Sequence, residues 1–292
     1  MFVTVIVAVA AITLAKTWDD VRATVLLTSP IDLLASGGLV LAGLSLSVLT
    51  WRRCLLEMGS RVVLSAASRI YLLGQLGKYL PGSVWALFAQ TEIGRASGVP
   101  RARGFAASVV AVAVNTAVGL ALGVAILPGA SELGVGYAWA LVGIAFLCAA
   151  ALAPPVLTRL VNFGITTINR PPLERPVAWR GIGVASAWSG ASYVAYGLSV
   201  WVLAVSVGAP AGQSLLLCVA GVPLAMIAGL VVFIAPSGLG VREAALVAAL
   251  TPVLEPSQGL AVALLARLVF TAADFVAALA VVPLRTRPAE AA

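Results

Sequence analysis

The strongest constraint on this chain is a series of apolar runs, near residues 1–15, 31–51, 104–127, 135–157, 181–207 and 259–284. Most approach the roughly twenty residues that a helix needs to cross hydrocarbon. Only 10% of the residues are charged, 61% are hydrophobic and the mean hydropathy is +1.08, whereas roughly a quarter of a soluble domain is charged. The reading is therefore an all-α polytopic membrane protein with about six spanning helices. Residues 1–15 have neither the basic start nor the small-residue cleavage site of a signal peptide, and are read as the first span.

Orientation follows from the loops, because short cytoplasmic loops keep Lys and Arg. Arg52, Arg53 and Arg61 follow the second run, and Arg95, Arg101 and Arg103 precede the third. Arg159, Arg170, Arg175 and Arg180 lie in the segment 158–180, which is expected to be an exposed connector, and Arg285 and Arg287 lie in the tail 285–292. These regions are expected in the cytoplasm, the C-terminus included. The connections 128–134, 208–213 and 251–258 carry no basic residue, and are expected outside.

On this topology, two segments cannot be ordinary spans. Residues 62–95 begin and end beside basic loops, and residues 214–250 begin and end beside uncharged ones. Each must enter and leave on one side. Each also carries helix breakers, Pro81 and Gly82 in the first and Pro236, Gly238 and Gly240 in the second. Proline removes a helical hydrogen bond, and glycine permits a reversal. Both segments are read as re-entrant helix-turn-helix hairpins, which places the breaks against protein or a water-filled cavity, where freed backbone groups find partners. The order of span, span, hairpin, span then occurs twice, in 1–127 and 135–284, entering from opposite sides. In such inverted repeats, paired broken helices point to a midplane binding site.

Ionisable side chains within these segments are few and costly to bury in lipid, which makes them candidates for a site. They are Arg69, Lys78 and Glu92 in the first hairpin, Arg242 and Glu243 just after the second break, and Arg267 and Asp274 in the last run. Arg242 and Glu243 fall in the first turn of a helix, where free N–H groups and the helix dipole favour an anion. Arg267 and Asp274 are seven residues apart on one helical face. Asn115 is an isolated amide in a span, placed to bond across helices.

Several chemistries lose ground. The chain has no histidine, the usual acid–base group near neutral pH and the commonest metal ligand. Cys54, Cys148 and Cys218 show no C-x-x-C spacing, so neither a disulfide framework nor a zinc site is expected. Arginine supplies all the basic residues except Lys16 and Lys78, in a pattern that fits loop orientation rather than nucleic-acid binding. No enzyme activity, cofactor or metal is expected.

The two breaks also carry a resemblance. The stretch Gly77-Lys78-Tyr79-Leu80-Pro81-Gly82-Ser83-Val84-Trp85 and the stretch from Ala235 to Leu246, APSGLGVREAAL, resemble the paired signatures of the lysylphosphatidylglycerol synthase transmembrane-region family, the flippase-like domain proteins. The resemblance covers nearly the whole chain. It implies a helical domain with re-entrant hairpins that handles lipid headgroups. By position, Lys78, Pro81, Gly82 and Trp85 match the first signature, and Pro236, Gly238, Gly240, Arg242 and Glu243 match the second. Two departures stand out. The sequence leaves no room for the aminoacyl-transferase domain of two-domain members, so a standalone member is expected, and Asn115 stands near where many relatives carry an acid.

The resulting expectation is a lipid translocase in a bacterial inner membrane. Lys78, Arg242, Arg69 and Arg267 would hold an anionic headgroup, with Glu243 and Asp274 beside them, while the breaks act as hinges. Membrane lipids are the expected partners, with a lipid-synthesising enzyme as a candidate. The competing expectation is an ion-coupled transporter of a small soluble anion, which the same architecture would serve.

Overall fold

A computed structural model describes residues 28–80, 84–124, 135–167, 172–173, 175–231, 238 and 240–283. The run 1–15, the tail, and the break residues Pro81, Gly82 and Pro236 lie outside the described residues. Among those described there is no strand. Ten α-helices follow one another among the described residues: α1 Pro30–Glu57, α2 Leu64–Gln75, α3 Trp85–Ala96, α4 Arg101–Val124, α5 Val135–Ala151, α6 Pro154–Thr167, α7 Trp179–Ser206, α8 Ala211–Val231, α9 Val241–Leu250 and α10 Pro256–Val281. Of these, α1, α4, α7, α8 and α10 are long and apolar enough to cross a membrane.

Local chemistry sets the helix starts. At α1, the Ser29 hydroxyl accepts from the Asp32 N–H at 3.2 Å and Pro30 supplies the preset first φ angle. At α10, Pro256 plays the same part, and the Gln258 side chain accepts from the Glu255 N–H at 3.2 Å.

The expected span 135–157 is in fact two helices, with α5 and α6 bent by 69° at Leu152 and Ala153. Pro154 and Pro155 explain the break, because a proline disfavours helical geometry in the residue before it and offers no N–H to the preceding turn. The expected connector 158–180 therefore begins as α6. It continues into a strap held by side chains of that helix: Thr158 accepts from the Val177 N–H at 3.0 Å, and Asn162 accepts from the Leu173 N–H at 2.9 Å.

Helices α2 and α3 have 12 residues each, or about 18 Å, too short to cross. A single 3-10 turn, Leu76–Tyr79, extends α2. The arms pack so closely that a Cβ on Gly77 would lie 2.7 Å from the Ala86 nitrogen. Both ends of this hairpin sit at the end of the bundle where α1 finishes and α4 begins. Arg52 donates to the Val62 carbonyl at 3.0 Å, Arg103 to the Gly59 carbonyl at 2.8 Å, and Arg101 pairs with Glu92 at 2.7 Å.

The second pair of helices, α8 and α9, is unequal, with 21 and 10 residues. They meet where Gly229 faces Gly238. A Cβ on Gly229 would stand 3.3 Å from the Gly238 Cα, and Gly238 has φ 67°, a left-handed conformation that suits glycine.

Among the described residues the bundle has two buried apolar clusters. One gathers Val40, Tyr196, Val200, Leu203, Val262 and Phe270, and the other Trp51, Leu55, Ile70, Val110, Val114 and Ile182. Since lipid is as apolar as leucine, close packing and interhelical hydrogen bonds hold such helices together. The Trp51 indole donates to Ser108 at 2.9 Å, and Ser108 to Gln90 at 2.7 Å, which ties α1, α4 and α3. Ser36 and Ser199 bond at 2.8 Å between α1 and α7.

Candidate functional site

A cavity of about 240 Å³ opens between the two clusters. Its walls come from the middle of three long helices: Leu44 and Ser47 on α1, Val112, Asn115 and Thr116 on α4, and Tyr193 and Tyr196 on α7. These residues lie near mid-length, which puts the cavity near the middle of the bundle's depth. Both breaks reach it. Lys78 arrives on the 3-10 turn, Gly229 and Leu230 at the end of α8, and Gly238 and Arg242 at the start of α9.

Two cations treat the cavity differently. Lys78 pairs with Asp274 of α10 at 2.6 Å. The same carboxylate oxygen accepts from the Tyr79 hydroxyl at 2.6 Å, and the Tyr79 ring stacks on Phe275 with centroids 5.6 Å apart. Asp274 is only 4% exposed, so the ion pair and the phenol together replace the water it has lost. Lys78 and Tyr79 are the last two residues of the 3-10 turn, and both reach this one carboxylate.

Arg242 has no carboxylate within ion-pair distance among the described residues. Its guanidinium lies over the Phe270 ring, 4.8 Å from the centroid, a cation–π contact that orients the fork and leaves its donors directed away from the ring. Glu243, the neighbouring acid, is taken up elsewhere. One of its oxygens pairs with Arg267 of α10, and the other accepts from the Gly240 N–H at 2.6 Å, capping α9. A planar, permanently charged fork whose donors have no hydrogen-bond acceptor among the described residues is a receptor for a carboxylate or phosphate.

The expected site residues thus separate. Lys78, Asp274 and Arg242 line the cavity; Glu243 and Arg267 form a pair beside it, against the buried side of Arg242. Arg69 stands apart, donating to the Val282 carbonyl at 3.1 Å near the end of α10. Arg267 and Asp274 share a face of α10, and each finds its partner on another element. Glu92 is on the surface between Arg95 and Arg101, and the Arg101 hydrogen bond holds its carboxyl below the usual range. Asn115 accepts from Ser189 of α7 at 2.6 Å. Gly238 and Gly240 have φ of 67° and 85°, conformations in which other residues are strained.

Sequence reasoning missed the tyrosines. Tyr71, Tyr193 and Tyr196 all line the cavity. Tyr193 and Tyr196, three apart in an apolar helix, present their hydroxyls to one face, and that spacing was the available signal.

One edge of the cavity is open. Val112 and Leu230 line it and are nonetheless 36% and 39% exposed. Val112 is midway along α4, so this apolar opening lies at a depth where a spanning helix meets hydrocarbon.

Among families of known proteins, the one described as lysylphosphatidylglycerol synthase TM region matches residues 1–278. No curated protein matches the chain.

Proposed function

The chain belongs to the lysylphosphatidylglycerol synthase transmembrane-region family, a membrane family connected with lipids, and on that premise we propose that it translocates an anionic phospholipid or polyprenyl-phosphate-linked lipid. The observation that carries the reading is the Arg242 guanidinium, stacked on Phe270 with no carboxylate within ion-pair distance among the described residues and facing a cavity with an apolar open edge. The phosphate binds Arg242 by a bidentate contact. The tails leave between Val112 and Leu230 and stay in lipid. At about 240 Å³ the cavity is below the roughly 300–1,000 Å³ of pockets that enclose a drug-sized ligand, which suits a headgroup with its chains outside.

In this reading the α2–α3 hairpin and the α8–α9 pair are re-entrant and their breaks are the hinges, Gly238 and Gly240 among them. Lys78 completes the site when the incoming phosphate competes with Asp274 for its ammonium. An Asp274 released in this way is placed to take up a proton, which offers a route to ion coupling.

The test is transport of a fluorescent anionic phospholipid in proteoliposomes, compared with a zwitterionic analogue. Arg242→Gln should slow transport by about tenfold to a hundredfold, the worth of a hydrogen bond to a charged group. Equal rates in wild type and variant would overturn the reading. Movement of a soluble anion without movement of lipid would replace it with the transporter of a small anion.

A further inference from the structure

Two further cavities adjoin each other at the end of the bundle where α1 finishes, remote from the central one. The first, about 410 Å³, is lined by Arg53, Arg61, Arg103 and Arg175, with Glu57 as the acid among the described residues that line it. The second, about 390 Å³, shares Arg53 and Arg61 and adds Arg52 and Ser60. Glu57 is committed to one of them: one of its oxygens holds Arg53 at 2.6 Å and the other accepts from the Ala178 N–H at 2.9 Å, while Arg103 donates to the Gly59 carbonyl at 2.8 Å. Arg61 has no ion-pair or hydrogen-bond partner among the described residues.

A second observation points the same way. Buried polar groups are nearly always satisfied, and an orphan needs an explanation. Two buried side-chain atoms in the described residues have no partner, the Arg53 Nε and the Ser60 hydroxyl. Both residues line the second cavity, and Ser60 is only 7% exposed. An oxygen-rich anion seated there would satisfy both and neutralise Arg61.

The walls specify more than charge. Beside the arginines, the second cavity is also lined by Leu49, Leu56 and Trp188; Leu49 and Leu56 share the face of α1 that carries Arg52 and Arg53, and Trp188 is 39% exposed. A lining in which arginines alternate with aliphatic side chains and an indole matches a lipid at its interface, the phosphate taken by the guanidinium groups and the glycerol and first methylenes by the apolar side chains between and beside them. The roof is a built structure: the strap that carries Arg175 is pinned by Thr158, Asn162 and Glu57.

We propose that this pair of cavities is a second site, separate from the transport cavity, which binds the phosphate of an anionic phospholipid in the leaflet at this end of the bundle. It shares no lining residue with the central cavity, so it stands or falls independently of Arg242.

The test is photocrosslinking in phosphatidylcholine nanodiscs doped with a photoactivatable phosphatidylglycerol, with peptides mapped by mass spectrometry. Adducts are expected on the segments around Arg52 to Val62 and around Trp188, and not from the matching phosphatidylcholine probe. The paired change Arg61→Gln with Arg175→Gln should cut these adducts about thirtyfold, as expected for two interfacial charges, while Arg242→Gln leaves them unchanged. Arg61→Lys with Arg175→Lys should restore them, which separates lost charge from lost fold. Adducts that survive the glutamine pair, or that form equally with phosphatidylcholine, would overturn the proposal. Displacement of the probe by millimolar inorganic phosphate in wild type would overturn the lipid assignment and give the site to a soluble phosphate.

Discussion

The Lys78 and Asp274 pair is the interaction on which the geometry can be tested most sharply. The two atoms are 2.6 Å apart, so at an effective dielectric of about 20 their attraction is roughly 6 kcal/mol before desolvation is counted. Asp274 is nearly buried, whereas a quarter of the Lys78 side chain remains exposed to the cavity. Removing one member of a fully buried pair costs about 3–5 kcal/mol, and the cavity-facing lysine recovers some of that through water. Asp274→Leu should therefore cost about 3 kcal/mol, including the lost Tyr79 hydrogen bond, and Lys78→Met about 2 kcal/mol. The double variant leaves neither charge stranded and should cost only about 2–3 kcal/mol, a coupling of about 2–3 kcal/mol. Reversible unfolding in mixed micelles, run on all four proteins, measures it. Additive single effects, with coupling below about 0.5 kcal/mol, would refute the claim that the tip of the first hairpin is fastened to α10 through this carboxylate.

Other expectations follow from the same structure. Gly197→Ala puts a methyl into the backbone of Val219 on α8 and should cost about 1–3 kcal/mol in the same assay. The nearest atom to a Cβ on Gly190 is a Val118 methyl at 3.8 Å, so Gly190→Ala should be neutral or slightly stabilising, and equal losses at both sites would contradict the packing. Glu243→Gln strands Arg267 and weakens the cap on Gly240, for a loss of about 2 kcal/mol, and Glu243→Leu combined with Arg267→Met should recover most of it. Glu92→Gln, on the exposed end of α3, should change neither the unfolding midpoint nor transport, since exposed ion pairs contribute little.

The sequence was most legible where one physical term dominates. Runs of apolar residues bounded by charge place α1, α4, α7 and α10 to within a few residues of the spans expected at 31–51, 104–127, 181–207 and 259–284, apart from the extension of α1 to Glu57. In the fourth run the bend stayed hidden because hydropathy does not register geometry: at Pro154-Pro155 the chain bends by 69° while the two helices together remain apolar enough for one broken span. The partners of Asp274 and Glu243 were out of reach for another reason. They lie 195 and 24 residues away, at Tyr79 and Arg267, and pairing between elements leaves no trace in local spacing. Arg242 was named from its place after a break, but what sets it apart, Glu243 being taken by Arg267 and Gly240, is visible only in three dimensions.

Within little more than two turns, α10 meets both hairpins: Arg267 and Phe270 hold the start of α9, while Asp274 and Phe275 hold the tip of the first. It works as a common shaft. Neither tip can slide along the bundle without dragging α10 or breaking a contact that keeps a buried charge compensated, so their movements are geared together. In the translocation proposed above, such gearing would make the lipid's passage a single concerted event, in which the two faces of the cavity change in step and not one after the other.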